Sequence, residues 1–380
     1  MATKTVQKKL NIHTAANEQL SLDLSILDGN QNLGNTISSY SHLLPAKPTI
    51  VFDTYWRFAA ERQQVFFRKL LGDIMPWTSD PILSNFKFTN AYRASDRVSQ
   101  YLIRHVIYRS DLPNTPEEVF FRIILFKLFN KIETWQLLEK TLGYILYKEY
   151  SFTRYDEILT GAMEQGHTIY SAAYIMPSGG KLLGYTKKHR NHLKLIEQMM
   201  IDELPKKLTD APSMLKGFEL LRNYPTIGDF LAYQFITDVN YSEITNFSEM
   251  SFVVPGPGAL DGIRKCFVDL GGLNEPEIIK LMAENQQSEF ERLGLDFCSL
   301  FGRSLQLIDC QNLFCEVDKY SRVRHPEISG ISGRTRIKQK YSAHGGIIEY
   351  WYPPKWDIND AARNSLDLHK RNGNAVASIN

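Results

Sequence analysis

No apolar run in the 380 residues approaches the roughly 20 that a helix needs to cross a bilayer. The opening Met-Ala-Thr-Lys-Thr-Val-Gln-Lys-Lys also lacks the apolar core of a secretory signal, so the chain is expected to be soluble and cytoplasmic, without a membrane partner. Cysteine is scarce. Cys266, Cys298, Cys310 and Cys315 show no paired Cys-x-x-Cys spacing, which argues against a disulfide framework or a zinc or iron–sulfur centre and for buried, reduced thiols. An excess of one charge is missing too: 44 Lys and Arg stand against 42 Asp and Glu, a formal net of +2. Affinity for nucleic acid must then come from local patches and not from a general basic field. His189 and His192 lie three apart with no nearby carboxylate to complete a metal set. Ser178-Gly-Gly-Lys181 is only half of a phosphate loop. No metal, cofactor or nucleoside triphosphate site is expected.

What is present is a 43.8 kDa chain with 43% hydrophobic and 12% aromatic residues, enough for one large core or two intimate lobes. Residues 1–45 are polar and are expected to form a loose arm, with short alternation at Leu20-Ser-Leu-Asp-Leu24; 361–380 has the same character. Between them β alternation is rare and helical spacing dominates. Asp53 or Thr54 is placed to cap a helix that ends near Gly72, and Thr115-Pro116-Glu117-Glu118 is a strong helix start. The helix after it is apolar almost all round, the mark of a central core element. Further helices are predicted at about 134–142, 155–165, 189–203, 213–222, 229–238, 258–267, 275–292 and 304–321.

Four segments carry candidate chemistry. Leu220 to Phe267 reads as a helix, a tight hairpin shaped by Pro225 and Gly228, a second helix, and the turn Gly256-Pro-Gly258 opening a third. Such helix starts present unpaired N–H groups to a nucleic-acid phosphate, which makes Thr226, Gly228, Gly256 and Gly258 candidate DNA contacts. In the helix at 304–321, Leu307, Cys310, Phe314 and Val317 form an apolar stripe. Asp309, Asn312, Glu316 and Lys319 fall opposite, where they either line a cleft or simply face solvent. In Asn90-Ala-Tyr-Arg-Ala-Ser-Asp-Arg97, Arg93 and Arg97 step toward Tyr101 on one face with Asp96 beside them, suited to phosphate clamping or to local ion pairing. Last, Arg322 and Arg324, then Arg334, Arg336 and Lys338, read as a basic segment ending in an extended strand with one cationic face. That face would track a sugar-phosphate backbone or merely protect an edge.

Together, Asn90 to Arg97, Phe129-Asn-Lys-Ile-Glu-Thr-Trp135, the hairpin, Gly256-Pro-Gly-Ala, Asp309 to Lys319 and Pro353-Pro-Lys-Trp356 resemble the helical domain associated with 5-hydroxymethyluracil DNA kinases. That domain is grouped with the alpha-glutamyl/putrescinyl-thymine pyrophosphorylases of phage thymine hypermodification. The resemblance covers about residues 50 to 358. It implies a divergent branch of the helix-hairpin-helix DNA glycosylase superfamily: a mainly α, two-lobed domain over 46–360 with minor β, the hairpin at 220–240 and DNA in the cleft. Glycosylases of that superfamily place an aspartate roughly 20 residues after the hairpin glycine; here the spacing lands on Glu249. The carboxylates open to the catalytic role are therefore Glu249, Asp238, Asp261, Asp309 and Glu316.

The reading favoured by this ancestry is a DNA glycosylase that excises a hypermodified pyrimidine, in the setting of antiphage defence. Asn90, Arg93, Asp96, Arg97, Asn312 and Lys319 would bind the substrate, and DNA carrying modified bases would be the partner. The alternative is a transferase in which an amino acid or amine displaces pyrophosphate from a 5-modified thymine; the same residues serve it, with Arg93, Arg97 and Lys319 facing the leaving group. A third reading is a non-catalytic DNA-binding module.

Overall fold

The computed structural model describes residues 45–172, 176–342 and 348–365. All but the last residue of the expected arm and all but the first five residues of the expected tail lie outside the described residues, and those five are helical. The described residues divide into a small unit, 45–47 with 268–274, and a large one, drawn from 48–267 and 275–365. In the small unit Lys47 pairs with Asp269 at 3.6 Å, and the Gly271 N–H donates to the same carboxylate. Two short strands, β1 (Lys47–Pro48) and β2 (Phe267–Asp269), form a two-stranded sheet; the rest of the regular structure is helical.

In chain order the helices are α1 (Ile50–Leu71), α2 (Pro81–Asn85), α3 (Arg97–Tyr101), α4 (Pro116–Phe129), α5 (Ile132–Leu142), α6 (Phe152–Glu164), α7 (Gly180–Leu183), α8 (Lys188–Ile201), α9 (Leu204–Thr209), α10 (Met214–Arg222), α11 (Asp229–Val239), α12 (Pro257–Cys266), α13 (Glu275–Arg292) and α14 (Leu307–Arg324). α1 starts a turn earlier than its sequence suggests. Extended Thr49 caps it by accepting the Val51 N–H at 3.0 Å, so Asp53 falls in the first turn, where its charge meets the positive end of the helix dipole. Its C-terminus closes on left-handed Gly72, as expected.

α4 is the core element that its all-round apolar sequence demands. Phe120, Phe121, Ile123, Ile124, Leu125 and Leu128 are fully buried, each contributing roughly 1.5–3 kcal/mol of transfer free energy. Around it pack α8, α9, α11 and a π-helical turn, Leu102–Ile107. Arg122 within α4 is equally buried and ties that turn down: Nε donates to the Val106 carbonyl at 3.1 Å and Nη2 to that of Pro113 at 2.9 Å.

The tightest helix pair is α12 on α14, the pair that presents the polar stripe of α14. It is possible only because residue 262 has no side chain: a Cβ there would lie 2.1 Å from the Phe314 carbonyl oxygen. Lys265 and Asp318 bridge the two helices at 3.0 Å, with both side chains about 2% exposed.

Two expected elements differ. Arg93 to Tyr101 is not one helix, because a 3₁₀ turn (Arg93–Ser95) breaks at extended Asp96 before α3 begins, so Arg93 and Arg97 share no face. The segment Arg334 to Lys340 forms no strand; its ladder is a single bridge from Lys340 to Phe86. A run of cations on both sides of Ile337 gives such a strand no apolar face to bury.

Candidate functional site

A cleft of about 1660 Å³ opens within the large unit. It exceeds the roughly 300–1,000 Å³ of an ordinary ligand pocket, leaving space for a nucleotide and a second reactant together. α1, the segment Leu83–Asn90, the break before α3, and α14 form its walls, and Phe86, Phe88, Tyr101 and Tyr350 supply aromatic faces.

The chemistry gathers around one peptide. The Thr89 carbonyl accepts from Arg62 Nε at 2.9 Å, and its N–H donates to Glu316 Oε2 at 3.0 Å. That same oxygen holds the Lys319 ammonium at 2.6 Å, and Lys319 lies 4.6 Å over the Phe88 ring. One residue further, the Asn90 N–H donates to Asp96 Oδ1 at 2.8 Å, and the Asn90 amide anchors to the Ser95 carbonyl at 2.6 Å. Asp96 Oδ2 has no hydrogen-bond partner among the described residues and borders the cleft. Burial pushes the Asp96 carboxyl up to about 7, and the like charge of Glu316 adds to the rise, against the N–H of Asn90 and the cation of Arg62. A carboxyl poised there accepts and returns a proton near neutral pH. Asn312 adds to the same wall an amide with no hydrogen-bond partner among the described residues.

Cys315 also lines the cleft, but burial raises its thiol to about 12, which keeps it protonated and unreactive as a nucleophile. Cys266 and Cys310 are buried as expected, whereas Cys298 is exposed.

The structure thus brings Asn90, Asp96, Arg97, Asn312, Glu316 and Lys319 to one cleft. Arg97 stands at its exposed side, 3.3 Å from Glu133. Arg93 reaches the wall but is committed: its guanidinium lies 2.8 Å from Asp238 and donates to Gln234 and Tyr241. Asp238 is fully buried between Arg93 and Lys127, the latter 3.2 Å away, which makes it the anion of an internal ion triad. Asp309 is turned inward. It closes a capping box at the start of α14 and accepts the Arg93 N–H at 2.8 Å, while burial lifts it to about 6. Glu249 is held 2.7 Å from Arg303, whose guanidinium stacks 3.8 Å over Trp356, and it does not line the cleft. Asp261 accepts from the Ser332 backbone at 2.8 Å.

The hairpin is present as α10, a turn and α11, locked where Gly217 lets Ile236 approach. Its left-handed residue is Thr226, at φ +71°, and not Gly228, which is extended and open to solvent. Asp229 opens α11 with a carboxylate paired to Arg222. Gly256 and Gly258 make room for Phe230 and Cys315. Arg324, Arg334, Arg336 and Lys338 are exposed, while Arg322 is drawn to Asp318 and the Arg336 carbonyl.

Sequence reasoning missed Arg62 and the Thr89 peptide. The signal for Arg62 was available: Arg62, Val65, Phe66 and Lys69 follow i, i+3, i+4, i+7 spacing, a mixed cationic and apolar stripe on α1.

Residues 49–330 match the family model described as "5-hmdU DNA kinase, helical domain". The chain belongs to that family. It is 28% identical over 295 residues to a curated relative, the 5-hmdU DNA kinase of Bacillus phage SP10, across 73% of this chain and 46% of that protein. It therefore spans about half the relative's length. No solved structure matches. These matches correct the glycosylase expectation, because the family and the relative carry the name of a kinase, a group-transferring enzyme, and neither is named as a base-excising hydrolase. Glu249, which the hairpin offset selects, is spent on Arg303. Among the described residues no helix is long and apolar enough to cross a membrane.

Proposed function

We propose that this chain is a DNA-modifying transferase that joins an amine or amino acid to a 5-modified thymine, with displacement of pyrophosphate. The observation that carries the reading is the open Oδ2 of Asp96 beside the Glu316–Lys319 pair, a proton acceptor and a cation in one cleft. Membership of a family named for a kinase of 5-hmdU in DNA supports a modified pyrimidine in DNA as the substrate. The base would leave the duplex stack to enter the cleft, where Phe86 and Tyr350 offer stacking faces.

In the reaction the amine nitrogen bonds to the exocyclic carbon at position 5, and the bond from that carbon to the pyrophosphate oxygen breaks. Pyrophosphate leaves with the bonding pair, and the proton lost from the nitrogen passes to Asp96. Lys319 offsets charge on the departing group, and the Thr89 N–H keeps Glu316, and with it Lys319, in register. Arg324, Arg334, Arg336 and Lys338 would track the DNA backbone outside the cleft.

The test is incubation of the protein with DNA carrying a 5-(pyrophosphoryloxymethyl)uracil and a panel of amines and amino acids, followed by mass spectrometry of the nucleosides. A gain of the nucleophile's mass with loss of pyrophosphate is the expected result. DNA recovered unchanged with every nucleophile would refute the proposal.

A further inference from the structure

Arg62 uses only one edge of its guanidinium in the fold. Its Nε holds the Thr89 carbonyl, but none of the remaining N–H groups of its guanidinium has a hydrogen bond or ion pair among the described residues, and it borders the cleft. A guanidinium is always charged, and its terminal fork matches two phosphate oxygens at once. Asp96 and Glu316 are near enough for their fields to act on it, yet neither is bonded to it. Both are engaged elsewhere, Asp96 by the Asn90 N–H and Glu316 by Thr89 and Lys319. Lys69, two turns along the same face of α1, lies at the cleft, 5.7 Å over the Trp77 ring, where partial desolvation first and the nearby Arg62 cation second depress its basicity. The Thr89 peptide fixes Arg62 through its carbonyl and Lys319 through Glu316, so three cations are presented to one space.

We infer that Arg62 and Lys69 form a phosphate-binding wall that grips the diphosphate carried on the substrate base. This rests on the transferase reading and adds to it the site of the leaving group. The fork of Arg62 takes the inner phosphate, nearest the carbon under attack. Lys69 and Lys319 flank it as point charges, so that Asp96 is left for the proton.

Titration calorimetry of the full chain with inorganic pyrophosphate tests the site without the reaction. Wild type should bind; Arg62→Gln should weaken binding by about tenfold or more, the loss of a charge-assisted bidentate contact. Lys69→Gln should weaken it several-fold, and Lys280→Gln on α13 should leave it unchanged. Because Arg62 also anchors Thr89, the Lys69 variant, which gives up no hydrogen bond or ion pair among the described residues, keeps the test valid if Arg62→Gln unfolds. Titration with unmodified duplex DNA separates the two phosphate sources. Equal weakening of DNA binding by Arg62→Gln would assign Arg62 to the backbone and overturn the inference, as would wild type that fails to bind pyrophosphate. Pyrophosphate binding through Arg62 without base transfer would leave the site standing and sink the transferase reading. Transfer at wild-type rate by Arg62→Gln would do the reverse.

Discussion

Replacing Asp96 by Asn separates the fold's interest from the reaction's. The wild-type carboxyl sits at about 7 against an ordinary 3.8, so the folded protein holds this proton more tightly than the unfolded chain does. Between those two values the native state binds the extra proton, and stability conferred by it is lost as pH rises through 7. The displacement is roughly 3 units at ~1.36 kcal/mol each, so carrying the charge above pH 7 costs the native state about 4 kcal/mol. Water reaching Oδ2 reduces this to about 2–4 kcal/mol. Asparagine keeps the oxygen that accepts the Asn90 N–H and drops the charge. Asp96→Asn should therefore match wild type in urea denaturation at pH 4 and exceed it by about 2–4 kcal/mol at pH 8. Transfer activity should fall by about 10²–10⁴, the usual contribution of a positioned base. Asp309, lifted to about 6 by burial, titrates in the same sense in both proteins and cancels in the comparison. A variant no more stable than wild type at pH 8, or one that keeps full activity, would refute the reasoning.

Asp238→Asn should do the opposite and destabilise by about 3–5 kcal/mol, because Arg93 and Lys127 are left facing each other in the interior. Burial already lowers the Lys127 pKa, so the deficit should shrink as pH rises and Lys127 sheds its proton; urea midpoints at pH 7 and 9.5 measure this, and a loss under about 1 kcal/mol at pH 7 contradicts the triad. Gly262→Ala should cost about 1–3 kcal/mol or more as α12 and α14 are forced apart, and an unchanged melting temperature would show that the crossing is looser than described.

Most helices were legible because their signals are local. Thr115-Pro116-Glu117-Glu118 states a cap, a first turn and a dipole preference in four residues, and the spacing at 275–292 gave a helix with those same bounds. The polar stripe of α14 was legible as a stripe, and three of its four members, Asn312, Glu316 and Lys319, do face the cleft. Direction was harder to read. Asp309 has the same periodicity, but it lies in the first turn, where free N–H groups compete for its carboxylate and win. Arg93 failed for a non-local reason: its partner Asp238 is 145 positions away, and no window contains both. Arg62 is harder to read because the cap and the C-terminal glycine mark where α1 runs and not which face it turns to the cleft, although a cation among apolar neighbours on one helix face is as informative as a carboxylate.

The carboxylates are what separate catalysis from mere binding. A surface that only holds DNA gains from cations and loses from every acid placed among them, since phosphate is repelled. As a staple for the loop at Asn90, Asp96 is a poor choice, because asparagine would accept the same N–H without the burial penalty on a charge. The penalty is tolerated where Oδ2 faces a cleft that also holds Lys319 and the uncommitted fork of Arg62. In the proposed transfer, an acid raised to about 7 beside fixed cations would take a proton from the nucleophile while the cations take charge from the leaving group, and no step in gripping a duplex calls for either.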